Sequence, residues 1–231
     1  MRRLDQSSST GWVAVVPVKP LTDAKTRLRG AVPSTAHSRL ALAMAQDTVA
    51  ATLACASVGR VLVVCDDATV RAGLEALGAR CLPDRPGAGL NAALAFGAHD
   101  ARGPVAALTA DLPALRPAEL TGALHAAAAL GARAYVPDAD GTGTVLLTAP
   151  AGVPLDPRFG PGSAATHRSS GAQRLDGAWP GLRRDVDTAQ DLDAAVGLGL
   201  GRHTERLLHG VMRRWERRTA SALAAIPSCR R

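Results

Sequence analysis

Lysine is nearly absent from this chain, yet both copies, Lys19 and Lys25, stand in "VVPVKPLTDAKTRLRG" (15–30), just after an apolar run; the other 25 of the 27 basic residues are arginine. Lys19, Lys25 and Arg27 held close together would repel one another unless a polyanion lay between them. A nucleoside triphosphate, with its pyrophosphate leaving group, has the charge to satisfy such a loop. A solvated connector anchored by Leu21 and Leu28 would carry the same residues. No GxxxxGK[ST] motif occurs and no GxGxxG follows the first apolar run, so the P-loop and dinucleotide-binding readings lose most of their ground.

The matching negative charge lies downstream. Asp111 in "TADLPAL" precedes Leu112-Pro113, a pair that turns the chain away. Asp185 and Asp187 in "RDVDT" are spaced i, i+2, which on an extended strand points both carboxylates to one side and Val186 to the core. Converging at strand ends, the three would make a hard, oxygen-rich site suited to Mg²⁺. Taken singly, helix capping by Asp187 and a turn role for Asp111 explain these residues equally well. The metal reading gains its weight from the combination with the cationic loop. "GTGT" (141–144) and "RFGPGSAATHR" (158–168) are rich in glycine and hydroxyls, so backbone N–H groups there, with Thr144 and Ser163, could cradle a phosphate or carboxylate. Turns contain the same residue types. His167 is a candidate base or a structural histidine. Asn91 in "GAGLNAA" could bond a base or ribose, or simply open a helix.

Positioning such residues requires strands whose ends meet. Short β-branched runs alternate with helical patterns, which predicts an α/β fold with a largely parallel sheet. Strands are expected at 12–18, 60–67, 79–84 and 104–113, and helices at 37–55, 68–78, 90–102 and 117–131. "ARAYVPD" and "GTVLLTA" read as two strands joined by a hairpin-like turn, and 182–188 as a strand end leading into a helix capped by Thr188 or Asp187. Ligands of a doubly wound sheet lie at the carboxyl ends of its strands, where the residues above fall.

A chain of 231 residues has the length for one domain with a substantial core. The expected division is a disordered 1–11, a catalytic domain over 12–201 and a basic amphipathic helix or tail over 202–231. The net charge of +7 is concentrated in that tail, which holds eight arginines against two glutamates and leaves the body near neutrality. A nucleic-acid surface on the body is therefore not expected. No apolar run is long enough to cross a bilayer, and no apolar segment follows the arginines at the N-terminus, so neither membrane insertion nor secretion is expected. Cys55, Cys65, Cys81 and Cys229 lack zinc-site spacing and read as reduced residues of a cytoplasmic protein.

In this order and spacing, "VPVKPLTDAKTRL", "ADLPAL", "GTGT", "RFGPGSAATHR" and "AWPGLRRDVDT" resemble the guanylyltransferase family of coenzyme F420 biosynthesis, which includes archaeal 2-phospho-L-lactate and actinobacterial phosphoenolpyruvate enzymes. The similarity spans about residues 12–200. It implies a single-domain, Rossmann-like nucleotidyltransferase fold close to GT-A enzymes and molybdopterin guanylyltransferases, a need for GTP and Mg²⁺, and pyrophosphate as product. It further implies Asp111, Asp185 and Asp187 as metal ligands and Thr144, Gly160 and Ser163 as holders of the phosphorylated three-carbon acid. Lys19, Lys25 and Arg27 match its basic opening motif, with Lys19, Lys25, Asn91 and Asp111 on the nucleotide. The form "FGPGSAATHR" resembles the actinobacterial branch, so phosphoenolpyruvate is the expected acceptor, and the resemblance implies a downstream transferase of the same pathway as a partner. The alternatives are a GT-A-type glycosyltransferase using a nucleotide sugar, which would also need a general base, and a non-catalytic nucleotide-binding subunit acting through its tail.

Overall fold

All six residues of β1 (Trp12–Pro17) are buried, as a strand covered on both faces must be; this is why it reads as unbroken hydrophobicity. The computed structural model describes residues 11–19, 33–85, 87–99 and 101–211. β1 is followed by α1 (His37–Leu53), β2 (Val58–Val64), α2 (Ala68–Glu75), β3 (Arg80–Leu82), α3 (Leu90–Ala98), β4 (Val105–Leu108) and α4 (Pro117–Leu130). Then come β5 (Ala134–Pro137), β6 (Thr144–Ala149), α5 (Ser163–Ser169), β7 (Gln173–Arg174), α6 (Pro180–Arg183) and α7 (Ala189–Leu198). Residues 202–211 form a further helix, α8.

The seven strands make one mixed sheet in the order β3-β2-β1-β4-β6-β5-β7. β1 pairs in parallel with β2 and β4, β2 with β3, and β5 with β7, whereas β6 runs antiparallel to both β4 and β5. Successive side chains of β1 serve opposite layers. Trp12, Ala14 and Val16 join the core that includes residues of α1, α2 and α4, and Val15 joins a second core with Ala93 and Leu94 of α3. Between β1 and β4 the strand order reverses direction, and this switch point is where an open α/β sheet leaves a crevice for ligands. β1 ends just before Lys19, and β4 just before the turn that carries Asp111.

Local chemistry explains most boundaries. Pro117 opens α4 and Gly131 closes it at φ 62°, a left-handed conformation that glycine adopts without penalty. Thr188, one of the two expected caps, starts α7 through a capping box in which Asp191 reciprocates. The strand expected over 182–188 is not there. Pro180 and the Glu119 carboxylate, which accepts the Gly181 and Leu182 amides at 3.1 and 2.9 Å, nucleate the short α6 instead. The sheet edge beside β5 goes to β7, and Asp185 and Asp187 lie in the irregular chain between α6 and α7. Val186 is nevertheless fully buried, as expected, because it packs in a third core with Leu40, Met44, Ala114 and Leu192.

α8 is tied down by a residue far from it in sequence. The buried Asp47 of α1 accepts the His203 and Thr204 amides at 2.9 and 2.8 Å, so its carboxylate caps the first turn of α8 and meets the positive end of the helix dipole. A Cβ at Gly201 would collide with that carboxylate, so glycine is required there. Leu207, Leu208 and Val211 of α8 pack on the third core; the rest of the amphipathic stripe expected in the tail lies outside the described residues. Asp47→Ala is expected to lower stability by about 1–3 kcal/mol, measured by urea denaturation. A loss below about 0.5 kcal/mol, the range of ordinary surface changes, would mean that the cap contributes nothing.

Candidate active site

The Asp111 turn is fixed from several sides. Thr48 of α1, fully buried, accepts the Leu112 amide on Oγ1 at 3.0 Å, and the same atom lies 2.9 Å from Met44 O and 3.2 Å from Ala110 O. The Val186 amide donates to Asp111 O at 3.1 Å, and the Gly201 amide to Pro113 O at 2.7 Å. The second of these turn carbonyls is thus held by the residue that leads into α8, and the first by the residue between Asp185 and Asp187. Where the i, i+2 spacing predicts a strand that brings the three aspartates together, the chain does so through this bond and the burial of Val186.

The electrostatics of the cluster are those of crowded like charges. Burial pushes the half-buried Asp185 carboxyl up to about 7, and the neighbouring charges of Asp111, Asp138 and Asp187 push in the same direction. Asp138 joins these acids from "PDADGTG", which by sequence reads only as a turn. Its carboxylate does shape that turn, accepting the Thr142 and Gly143 amides at 2.9 and 2.7 Å, while adding its charge to the cluster. Among the described residues no group of three acidic, histidine or cysteine side chains forms a ready metal cage. Hard oxygen donors gathered in a partly desolvated site still fit a divalent cation of the Mg²⁺ type, which binds through one or two carboxylates and completes its shell with waters and substrate phosphates.

Thr144, Gly160 and Ser163 are also brought together. Thr144 opens β6 and Ser163 opens α5, both buried, and the Ala164 amide donates to Thr142 O at 3.0 Å, docking α5 beside the start of β6. Gly160 at φ 142° and Gly162 at φ 70° shape the loop before α5, and the Ser163 amide donates to Gly160 O at 3.1 Å. Thr144 Oγ1 lies 2.9 Å from His167 Nδ1, and His167 Nε2 accepts the Arg158 amide at 2.9 Å. His167 is fully buried, and its ring meets the edge of Phe159 with centroids 5.1 Å apart. Burial, with the positive charge of Arg133 next in weight, lowers its pKa to about 4, so the ring is neutral near pH 7 and unsuited to act as a charged acid.

Other expected residues are placed differently. Asn91 uses its amide on the backbone of Phe159, donating to the carbonyl at 3.0 Å and accepting the N–H at 2.7 Å; it braces the loop that leads to α5. Asp67 caps α2, accepting the Thr69 and Val70 amides, and Asp66 accepts the Asp84 amide, so these acids that follow β2 serve turns. Lys19 is exposed at the end of β1. Lys25 and Arg27 lie outside the described residues.

Known proteins share this framework. Residues 41–185 match the MobA-like NTP transferase domain. The chain is 61% identical over 198 residues to the phosphoenolpyruvate guanylyltransferase of Salinispora arenicola, covering 85% of this chain and 92% of that protein. It is 56% identical over 208 residues to the phosphoenolpyruvate guanylyltransferase of Geodermatophilus obscurus, covering 87% and 96%. Among solved structures, a nucleotidyl transferase from Methanothermobacter superposes with a TM-score of 0.57 at 19% identity, covering 81% of this chain and 97% of that one. A CMP:2-keto-3-deoxy-manno-octonic acid synthetase complexed with CTP superposes with a TM-score of 0.55 at 17% identity, covering 81% and 98%; both likenesses are of fold. The chain belongs to the MobA-like NTP transferase family and, within it, to the phosphoenolpyruvate guanylyltransferases.

Proposed function

We propose that this nucleotidyltransferase moves GMP from GTP to phosphoenolpyruvate and releases pyrophosphate, in the route to coenzyme F420. The observation that carries the reading is the 61% identity to a phosphoenolpyruvate guanylyltransferase along 92% of that relative's length. The gathering of Asp111, Asp185 and Asp187 beside the sheet's switch point supports it. An oxygen of the acceptor phosphate attacks the α-phosphorus of GTP, the bond from that phosphorus to the bridging oxygen breaks, and pyrophosphate leaves with the electron pair. With a second pKa near ~6 the acceptor phosphate is already an anion at neutral pH, so no general base is needed, in keeping with a buried, neutral His167.

The problem the enzyme faces is to bring an anion against a polyanion. Asp111, Asp185 and Asp187 would hold Mg²⁺, which would supply charge neutralisation for the approaching phosphates. Thr144, Gly160 and Ser163 hold and orient the phospho-acid so that attack is in line. Lys19, Lys25 and Arg27 supply the positive charge that stabilises charge building on the leaving pyrophosphate. Asn91 braces the acceptor loop from the start of α3. No helix among the described residues is long and apolar enough to cross a membrane, and substrates of this kind point to a cytoplasmic enzyme. The division into a domain over 12–201 and a basic tail over 202–231 remains our reading of the chain's organisation.

Pyrophosphate release from GTP with Mg²⁺, measured separately with phosphoenolpyruvate, 2-phospho-L-lactate and 3-phosphoglycerate, tests this. Turnover is expected with phosphoenolpyruvate above the other two. Preference for another acid would change the substrate, and release with none would overturn the guanylyl-transfer reading.

A further inference from the structure

Thr144 carries a hydroxyl that can either donate or accept a hydrogen bond, and an anionic acceptor needs it to donate. The residues around it decide which. A backbone N–H can only donate, so the Arg158 amide, 2.9 Å from His167 Nε2, requires that nitrogen to be bare. A neutral imidazole then carries its proton on Nδ1. That N–H, 2.9 Å from Thr144 Oγ1, donates to the hydroxyl oxygen. With an oxygen lone pair so used, and with no other hydrogen bond of Thr144 Oγ1 among the described residues, the hydroxyl proton is directed away from His167.

Resting on the reading that Thr144 faces the phospho-acid, we propose that His167 is a positioning residue that fixes Thr144 as a hydrogen-bond donor to the acceptor's anionic oxygens. The relay runs one way, from the Arg158 amide to Nε2, from Nδ1–H to Thr144 Oγ1, and from the threonine hydroxyl to the substrate. Its surroundings keep it from reversing. His167 is fully buried and held edge-on by Phe159, whose backbone is clamped by Asn91. The consecutive amides of Arg158 and Phe159 are therefore each held by a side chain, His167 for one and Asn91 for the other. The acceptor loop and the direction of the Thr144 hydroxyl are set by the same ring. An acceptor whose corresponding group is uncharged and can only donate would be rejected, since the threonine would then offer a proton to a proton.

Two measurements test the proposal. Long-range ¹H–¹⁵N NMR of the wild-type protein at pH 7 should show His167 as the neutral Nδ1–H tautomer; an Nε2–H or doubly protonated ring overturns the relay without any reference to activity. Kinetics supply the second. In His167→Gln the amide approximates Nε2 and can still accept from Arg158, but the donor to Thr144 is gone. The acceptor KM should rise about tenfold, with the KM for GTP unchanged. His167→Asn, whose amide approximates Nδ1, should recover part of that loss. Thr144→Val should raise the acceptor KM at least as much, and adding His167→Gln to it should raise it no further, because His167 acts through Thr144. Additive effects in the double variant, with an active wild type, overturn this proposal alone. A wild type inactive toward every phospho-acid overturns the acceptor reading and this proposal with it.

Discussion

Asp185→Asn is expected to lower pyrophosphate release roughly 10²–10³-fold while making the metal-free protein harder to unfold. The two effects have one cause. Asp185 sits where burial first, and then the charges of Asp111, Asp138 and Asp187, oppose its ionisation, raising its pKa from 3.8 to about 7. The folded state therefore binds this proton more tightly than the unfolded chain does. Stability linked to that proton is fully present below pH 3.8 and is lost as pH rises through about 7. At pH 8 the metal-free protein carries this destabilisation in full, on the order of 1–3 kcal/mol after solvent screening of a half-buried group is discounted. Asparagine has the same shape and no charge, so the variant should be more stable than wild type at pH 8, and the difference should shrink towards pH 4. Added Mg²⁺ should stabilise the wild type at pH 8 and the variant far less, because the ion offsets the repulsion that the variant no longer has. Urea denaturation at the two pH values, with and without Mg²⁺, reads the stability half of the prediction. Retained turnover would remove Asp185 from the proposed metal site, and an unchanged stability would mean that neither burial nor the neighbouring carboxylates oppose its ionisation.

What the sequence reveals about this protein follows the range of the interactions. β1 and the second half of β2 are legible because both faces are buried, and α4 because proline and glycine mark its ends. Thr144, Gly160 and Ser163 are singled out together only by motif resemblance, and the fold gathers them at one place. The strand expected at 182–188 fails because a four-residue helix has no periodicity to read, and Glu119, which caps it, lies 62 residues before Gly181. Asp47 looks like an ordinary polar position of α1, and its partner amide at His203 is 156 residues away. Asn91 has a role with the same long range: an amide after a glycine-rich turn suits a nucleoside, and the fold also gives it a backbone segment 68 residues downstream to hold. Asp138 is visible as a turn residue, and only the fold puts its charge beside Asp185. Local pattern identifies the elements and the chemistry-bearing types; the distant side chains that hold them in place leave little local trace.

Gly181→Ala should damage both stability and turnover although residue 181 touches no substrate in the proposed mechanism. A Cβ there would strike the carbonyl oxygen of Ala114 and stand 2.7 Å from Glu119 Oε2. Neither neighbour can yield cheaply. Ala114 is backbone in the buried turn that follows Asp111, and Glu119 is already held by the two amides that start α6. Relief would come by moving α6 away from that turn, carrying the chain at 184–187 with it. The bond that suffers is the Val186 amide to Asp111 O at 3.1 Å, the direct tie between the two halves of the carboxylate cluster. Overpacking of this kind costs about 2–3 kcal/mol, and the larger gap should appear as a raised Mg²⁺ requirement with turnover lowered roughly tenfold or more. Gly197→Ala is the matching control. It lies within α7 with nothing near its added methyl group, and should gain about 0.5–1 kcal/mol from helix propensity with turnover unchanged. If Gly181→Ala loses stability but keeps the wild-type Mg²⁺ requirement, then the close packing of α6 on the Asp111 turn serves the fold alone. If both change together, the distance between Asp111 and Asp185 is set by the absence of a single methyl group.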